Sequence, residues 1–166
     1  IFTIEDARLV LKENKPSVRK LLHDLNKKKW ILRLSKGNYL ILPLEAGKEA
    51  KYTEHEFVIA STLVSPYYIS YWSALNYYGL TEQVSKTIFI ATTKRKREMK
   101  IAGTTFKFIT LNKRKMFGYT RVFINNHKVN IAEKEKSIVD GLDFSRYCGG
   151  IAEVIKAMDG AKGEID

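Results

Sequence analysis

Pro16, Arg19, Lys20, His23 and Lys27 recur at intervals that line one side of a helix. Such a face suits duplex DNA. A helix fits the major groove, its early residues reach base edges, and flanking cations meet phosphates. Arg19 is the best candidate for a bidentate contact with guanine, because its planar fork matches O6 and N7. Ser17, Lys20 and His23 are candidates for base or phosphate contacts. Lys27, Lys28, Lys36 and Asn38 suit phosphate contacts, which position a protein without reading sequence. A second basic group, Lys94-Arg95-Lys96-Arg97 with Lys113-Arg114-Lys115, has the composition of a patch for operator flanks or an RNA.

Catalytic chemistry finds less support. His23, His55 and His127 are isolated and make no metal-ligand spacing, and no Gly-rich phosphate loop occurs. Cys148, beside Gly149 and Gly150, reads as a small packed residue. Glu133-Lys134-Glu135-Lys136 and Asp140 have the residue types of a nuclease site, but their spacing predicts a solvated helix face opposite Ile138, Val139 and Leu142. No enzyme activity, cofactor or metal is expected from these residues.

Charge is unevenly spread. The 166 residues hold 29 Lys+Arg and 18 Asp+Glu, a net +11. Residues 1–43 carry +6, 44–93 carry −2, 94–130 carry +10 and 131–166 carry −3. An apolar share of 45% with 8 Phe, 9 Tyr and 2 Trp excludes a disordered chain. A single cysteine excludes an intramolecular disulfide framework. The apolar run at Phe57-Val58-Ile59-Ala60 stops at Ser61, far short of the roughly 18 residues of a membrane span. With no secretory pattern at the start, a cytoplasmic location is the expectation. The chain opens on Ile1 rather than Met, which leaves an upstream piece open.

The positioning elements follow from periodicity. Thr3 through Asp6 has the form of a helix cap, and Ile4, Ala7 and Leu11 then share a face. Pro16 opens a second helix in which Val18, Leu21, Leu22 and Leu25 make a core stripe. Trp30 to Leu34, a Ser35–Asn38 turn and Tyr39 to Leu42 predict a β-hairpin, with Trp30 in the core. Helix, turn, basic helix and hairpin give a winged helix-turn-helix over residues 1–44, whose first helix is either missing or replaced by packing on something else. A boundary is expected near Pro43–Gly47.

Residues 50–166 predict an α+β domain with a mostly antiparallel sheet. Helices are expected at 54–64, at 70–78 (capped by Ser70), at 133–142 and at 151–158. Strands are expected at 87–91, 104–111, 119–124 and 128–132, with Asn125-Asn126-His127 as a turn. The two basic runs fall on loops, and pairing of the strands between them would bring both to one sheet end. Tyr67, Tyr68, Tyr71, Trp72, Tyr77 and Tyr78 are expected to be mostly core.

Three segments, Ser70-Tyr-Trp-Ser-Ala-Leu-Asn-Tyr-Tyr-Gly-Leu80, Ile88-Phe-Ile-Ala-Thr-Thr-Lys-Arg95 and Ile131-Ala-Glu-Lys-Glu-Lys-Ser-Ile-Val-Asp140, resemble the AbiEi-type antitoxins. These are winged-helix proteins described as transcriptional regulators of viral defence. The resemblance spans nearly the whole chain and rests on the order of several segments. It implies the antitoxin of a type IV toxin–antitoxin pair. Such a protein represses its own operon by binding double-stranded operator DNA, expected here as an inverted repeat. It neutralises a nucleotidyltransferase-like toxin without a stable complex. The very basic 94–130 segment departs from that pattern. The alternative is a nucleic-acid-targeted nuclease or other defence enzyme that uses the winged helix for targeting.

Overall fold

The computed structural model describes residues 1–42, 54–83, 85–101 and 103–163. It divides into two compact units, Ile1–Glu54 and His55–Asp166. The boundary expected near Pro43–Gly47 lies outside the described residues. The architecture is mixed α+β, with six α-helices and mostly antiparallel strand pairs among the described residues. No helix among these residues is long and apolar enough to cross a membrane.

The first unit runs β1 (Phe2–Thr3), α1 (Ile4–Leu11), α2 (Lys15–Lys27), β2 (Ile31–Ser35) and β3 (Asn38–Ile41). Thr3 and Asp6 form a reciprocal capping box that fixes where α1 begins. Asn14 caps α2, its Oδ1 accepting from the Ser17 amide at 3.0 Å, with Pro16 in the first turn. β2 and β3 form the expected hairpin, with Leu34 the extra residue of a bulge. The two-residue strand β1, too short to leave a periodic signal, pairs with β3 on its other side. Val18, Leu22, Ile31 and Tyr39 form a core cluster, with Phe2, Ile4, Ala7 and Leu25 packed against it, and Leu34, Leu40 and Leu42 are buried too.

Three residues expected in this core stay outside. Leu11 ends α1 and is exposed, and Leu21 lies on the flank of α2 away from the sheet. Trp30 is 54% exposed and its ring lies under the Lys28 ammonium at 5.8 Å. Two short helices on three strands enclose only a narrow arc of α2, which Val18 and Leu22 already fill.

In the second unit, α3 (Glu56–Leu63), β4 (Tyr67–Ile69), α4 (Tyr71–Tyr77), β5 (Thr87–Thr92), β6 (Met99–Ile101) and β7 (Thr104–Thr110) come first. They are followed by β8 (Tyr119–Ile124), β9 (His127–Ala132), α5 (Lys134–Asp143) and α6 (Ile151–Gly160). The strand order is β6-β7-β5-β4-β9-β8. Asn125 and Asn126 both have positive φ, the geometry of a tight hairpin turn between β8 and β9. Gly149 has φ +78, and a Cβ there would lie 2.5 Å from the Trp72 ring, so α6 is reached through a backbone that passes flat against an indole.

On α5 and its N-cap, Glu133 and Glu135 are exposed and Ile138 is buried as expected, but four other residues reverse the expectation. Lys136 and Asp140 are buried (5% and 3% exposed), whereas Val139 and Leu142 face solvent. Lys136 Nζ donates to Asp140 Oδ1 at 2.6 Å, and Ser70 Oγ and Tyr68 OH donate to Oδ2 at 2.7 and 3.0 Å. The carboxylate therefore has its donors without water, which is what allows it to lie inside. Ser70 accordingly makes no cap bond to α4. Replacing Asp140 by Ala strands a buried ammonium and two hydroxyls, and should cost about 3–5 kcal/mol in urea denaturation. Lys136→Met should cost less, because Ser70 and Tyr68 still hold the carboxylate. A loss of under about 1 kcal/mol for Asp140→Ala would refute this account of the core.

Candidate nucleic-acid interface

A groove of about 570 Å³ separates α2 from the hairpin. Arg19, His23, Asn26 and Lys15 of α2 form one wall, and Arg33, Lys36 and Gly37 of the hairpin form the other. Ile4, Leu22 and Tyr39 make an apolar floor, and no carboxylate lines the groove. Two contacts set its width. Asn26 Oδ1 accepts from the Arg33 amide at 3.0 Å, and the Ile4 amide donates to the Gly37 carbonyl at 2.9 Å. The cationic walls thus stand on a hydrogen-bonded frame rather than on free loops.

Charge within the groove is not uniform. Lys15 Nζ and Arg8 Nη1 both bind Glu5, at 2.8 and 2.6 Å. Hydrogen bonds from Lys15, then Arg8, hold the Glu5 carboxyl below its ordinary range. Lys15 is therefore partly neutralised, while Arg19, Arg33 and Lys36 make no ion pair among the described residues.

Of the eight expected contact residues, Arg19, His23 and Lys36 meet in this groove. At 100° per residue, Lys20 and Lys27 run along the outer ridge of α2, and Ser17 and Lys28 lie on its far flank. Asn38 opens β3, where its amide Nδ2 donates to Ser35 Oγ at 2.8 Å across the hairpin turn. A short polar side chain beside a tight turn bonds locally before it reaches outward. Arg33, Asn26 and Lys15 were missed. Strand alternation marks Arg33 as outward-facing, but nothing in the sequence says that its side of the hairpin looks onto α2.

The second basic group is brought together by topology. β5 and β7 are parallel neighbours in register from Thr87↔Thr105 to Thr92↔Thr110, so the runs that follow them leave at one sheet end. The first lies on a loop, as expected. Lys113–Lys115 forms a 3-10 turn capped by Asn112 rather than an open loop. Two of the seven cations already have partners within the protein, Lys96 half-buried and Lys115 at the surface. Lys96 Nζ donates to the Leu63 carbonyl and lies over the Phe108 ring, and burial pushes its pKa down. Lys115 pairs with Asp143 at 2.6 Å. Lys94, Arg95, Arg97, Lys113 and Arg114 remain exposed.

No family model matches the chain, and no curated protein matches it.

Among the described residues no three His, Cys, Asp or Glu side chains gather as a metal-ligand set. Cys148 is buried and unbridged. Burial first and the Asp140 charge second push its thiol up to about 12. Because the thiolate is the reactive form, the folded protein should react with a disulfide reagent at pH 8 far more slowly than the same protein in guanidinium. Equal rates in the two states would contradict the buried placement.

Proposed function

We propose that residues 1–42 form a winged helix-turn-helix that binds double-stranded DNA, with α2 in the major groove and the hairpin as the wing. The observation that carries this reading is the carboxylate-free groove between α2 and the hairpin, with Arg19 on one wall and Arg33 and Lys36 on the other. Arg19 stands near the start of α2, where a docked helix reaches base edges. Arg33 and Lys36 sit across the groove, where a backbone phosphate would run beside the helix. In this reading the protein is a transcriptional repressor of its own operon. Its role as a type IV antitoxin against a nucleotidyltransferase-like toxin is supported by the resemblance of segments 70–80, 88–95 and 131–140.

DNA binding is tested by gel retardation with DNA upstream of the gene and with random duplex. Arg19→Ala with Lys20→Ala should abolish the specific shift and leave the circular dichroism spectrum unchanged. An unaltered shift would overturn α2 as the reading head. Arg33→Ala should weaken specific and random duplex alike and make the salt slope shallower by about 1. For the intact protein, about four phosphates at the groove give a slope of log affinity against log salt near −4, whereas recruitment of the 94–115 cations would steepen it to about −7. The antitoxin role is tested by expressing the chain with the adjacent toxin gene: restored growth supports it, and unrelieved toxicity defeats it.

A further inference from the structure

Among the described residues, β8 is a terminal strand of the six-stranded sheet and bonds to β9 alone. It runs six residues, Tyr119 to Ile124, in unbroken register with β9 from Tyr119↔Ala132 to Ile124↔His127. Edge strands are ordinarily blunted by a bulge, a proline, an edge lysine or shortness. β8 has no bulge, proline or lysine, and Arg121 is its one charged side chain. The opposite edge, β6, is only three residues long.

Two observations fix which backbone groups point outward. The two-residue turn at Asn125-Asn126 makes Ile124 and His127 a hydrogen-bonded pair. The Glu133 amide donates to the Gly118 carbonyl at 2.9 Å at the other end of the ladder. Even-numbered residues therefore bond to β9, and the N–H and C=O groups of Tyr119, Arg121 and Phe123 face away from the sheet. Their side chains are exposed as well: Phe123 is 67% and Tyr119 37% accessible.

Charge selects the occupant. The β8–β9 hairpin carries Arg121 and Lys128 and no acid from Tyr119 to Ala132, and the exposed Lys113 and Arg114 precede it in the chain. The first carboxylate along the ladder is Glu133, opposite Gly118. A second copy pairing edge to edge would oppose two such surfaces. An acidic strand would not. We propose that β8 binds an extended acidic polypeptide segment by strand addition, with a carboxylate facing Arg121 and apolar side chains two residues to either side, against Tyr119 and Phe123. The alternating outward donors and acceptors match a polypeptide backbone, which is why a strand rather than a nucleic acid is assigned to this edge.

The test uses the full chain and a fluorescent heptapeptide, Glu-Val-Thr-Glu-Thr-Val-Glu, followed by anisotropy. Saturable binding is expected, with none for Lys-Val-Thr-Lys-Thr-Val-Lys. The fully N-methylated acidic peptide keeps its charge but loses its donors, and it should not bind. Phe123→Pro removes one outward N–H and leaves the β9 bonds intact, and should weaken binding about fivefold or more. The N-methylated peptide on unaltered protein keeps the test decisive if that variant misfolds. Absent binding, or equal binding of the methylated peptide, overturns the proposal. So does a self-associated protein in sedimentation that Phe123→Pro renders monomeric, since a second copy would then occupy the edge.

Discussion

A carboxylate taken out of water must find its donors inside the protein, and at Asp140 that requirement organises the larger unit. Its three donors come from three elements: Tyr68 from β4, Ser70 from the link into α4, and Lys136 from one turn earlier in α5. β4 is only three residues long, yet it joins β5 to β9 at the middle of the sheet. The hydroxyl of Tyr68 anchors it to the helix above. Burial, and then the Asp140 charge, raise the Tyr68 hydroxyl far above its ordinary range, so it remains a donor. Directly after Ser70 the chain takes a left-handed turn at Tyr71, φ 55, where a bulky residue is strained. The bonds of Ser70 and the packing of Tyr71 on Tyr147 hold that turn. The geometry is therefore imposed by tertiary contacts, since local preference opposes it.

The same network reaches the sheet edge. The Lys136 stem passes so close to Gly118 that a Cβ there would sit 3.1 Å from the lysine Cβ, and Gly118 itself has φ +65. Phe117 lies 4.5 Å from the Lys136 ammonium, and Tyr119 stacks on Tyr68 at 5.0 Å. The start of β8 is thus seated on the buried ion pair. Two of the segments that carry the resemblance, 70–80 and 131–140, meet at Asp140 through Ser70 and Lys136. Their physical content is a folding constraint as much as any surface.

What could be read from the sequence was whatever leaves a local pattern. Val18 and Leu22 on α2, the Asn125-Asn126 turn and strands 104–111 and 119–124 announce themselves by period or by turn chemistry. β1 and β4 are two and three residues long, shorter than one full alternation, and only their partners define them. Lys136 and Asp140 misled for another reason. Lys and Asp at i, i+4 are the usual signature of a solvated pair, and burial reverses that meaning only because hydroxyls from distant segments complete the shell. Arg33 was legible as an exposed strand residue but not as a groove wall, because its value depends on α2 across the hairpin.

The basic character of the chain likewise divides once its partners are known. Charge that neutralises a phosphate has to be free to approach it. Lys96 is spent on a backbone carbonyl and an aromatic face, Lys115 on Asp143, Lys136 on Asp140, and Lys15 is shared with Glu5. Among the described residues of the first unit, Arg19, Arg33 and Lys36 stand unpaired on the two walls of one groove framed by the Arg33–Asn26 and Ile4–Gly37 hydrogen bonds, while Lys20 and Lys27 lie on the outer ridge of α2. In the second unit one group of free cations lies on segments leaving the ends of two parallel strands. A rigid groove fixes the distance between its cations before any ligand arrives and so loses less on binding than mobile lysines that must first be ordered. Equal numbers of free cations therefore do not make equal sites, and the preorganised walls of α2 and the hairpin have the advantage for a helical polyanion.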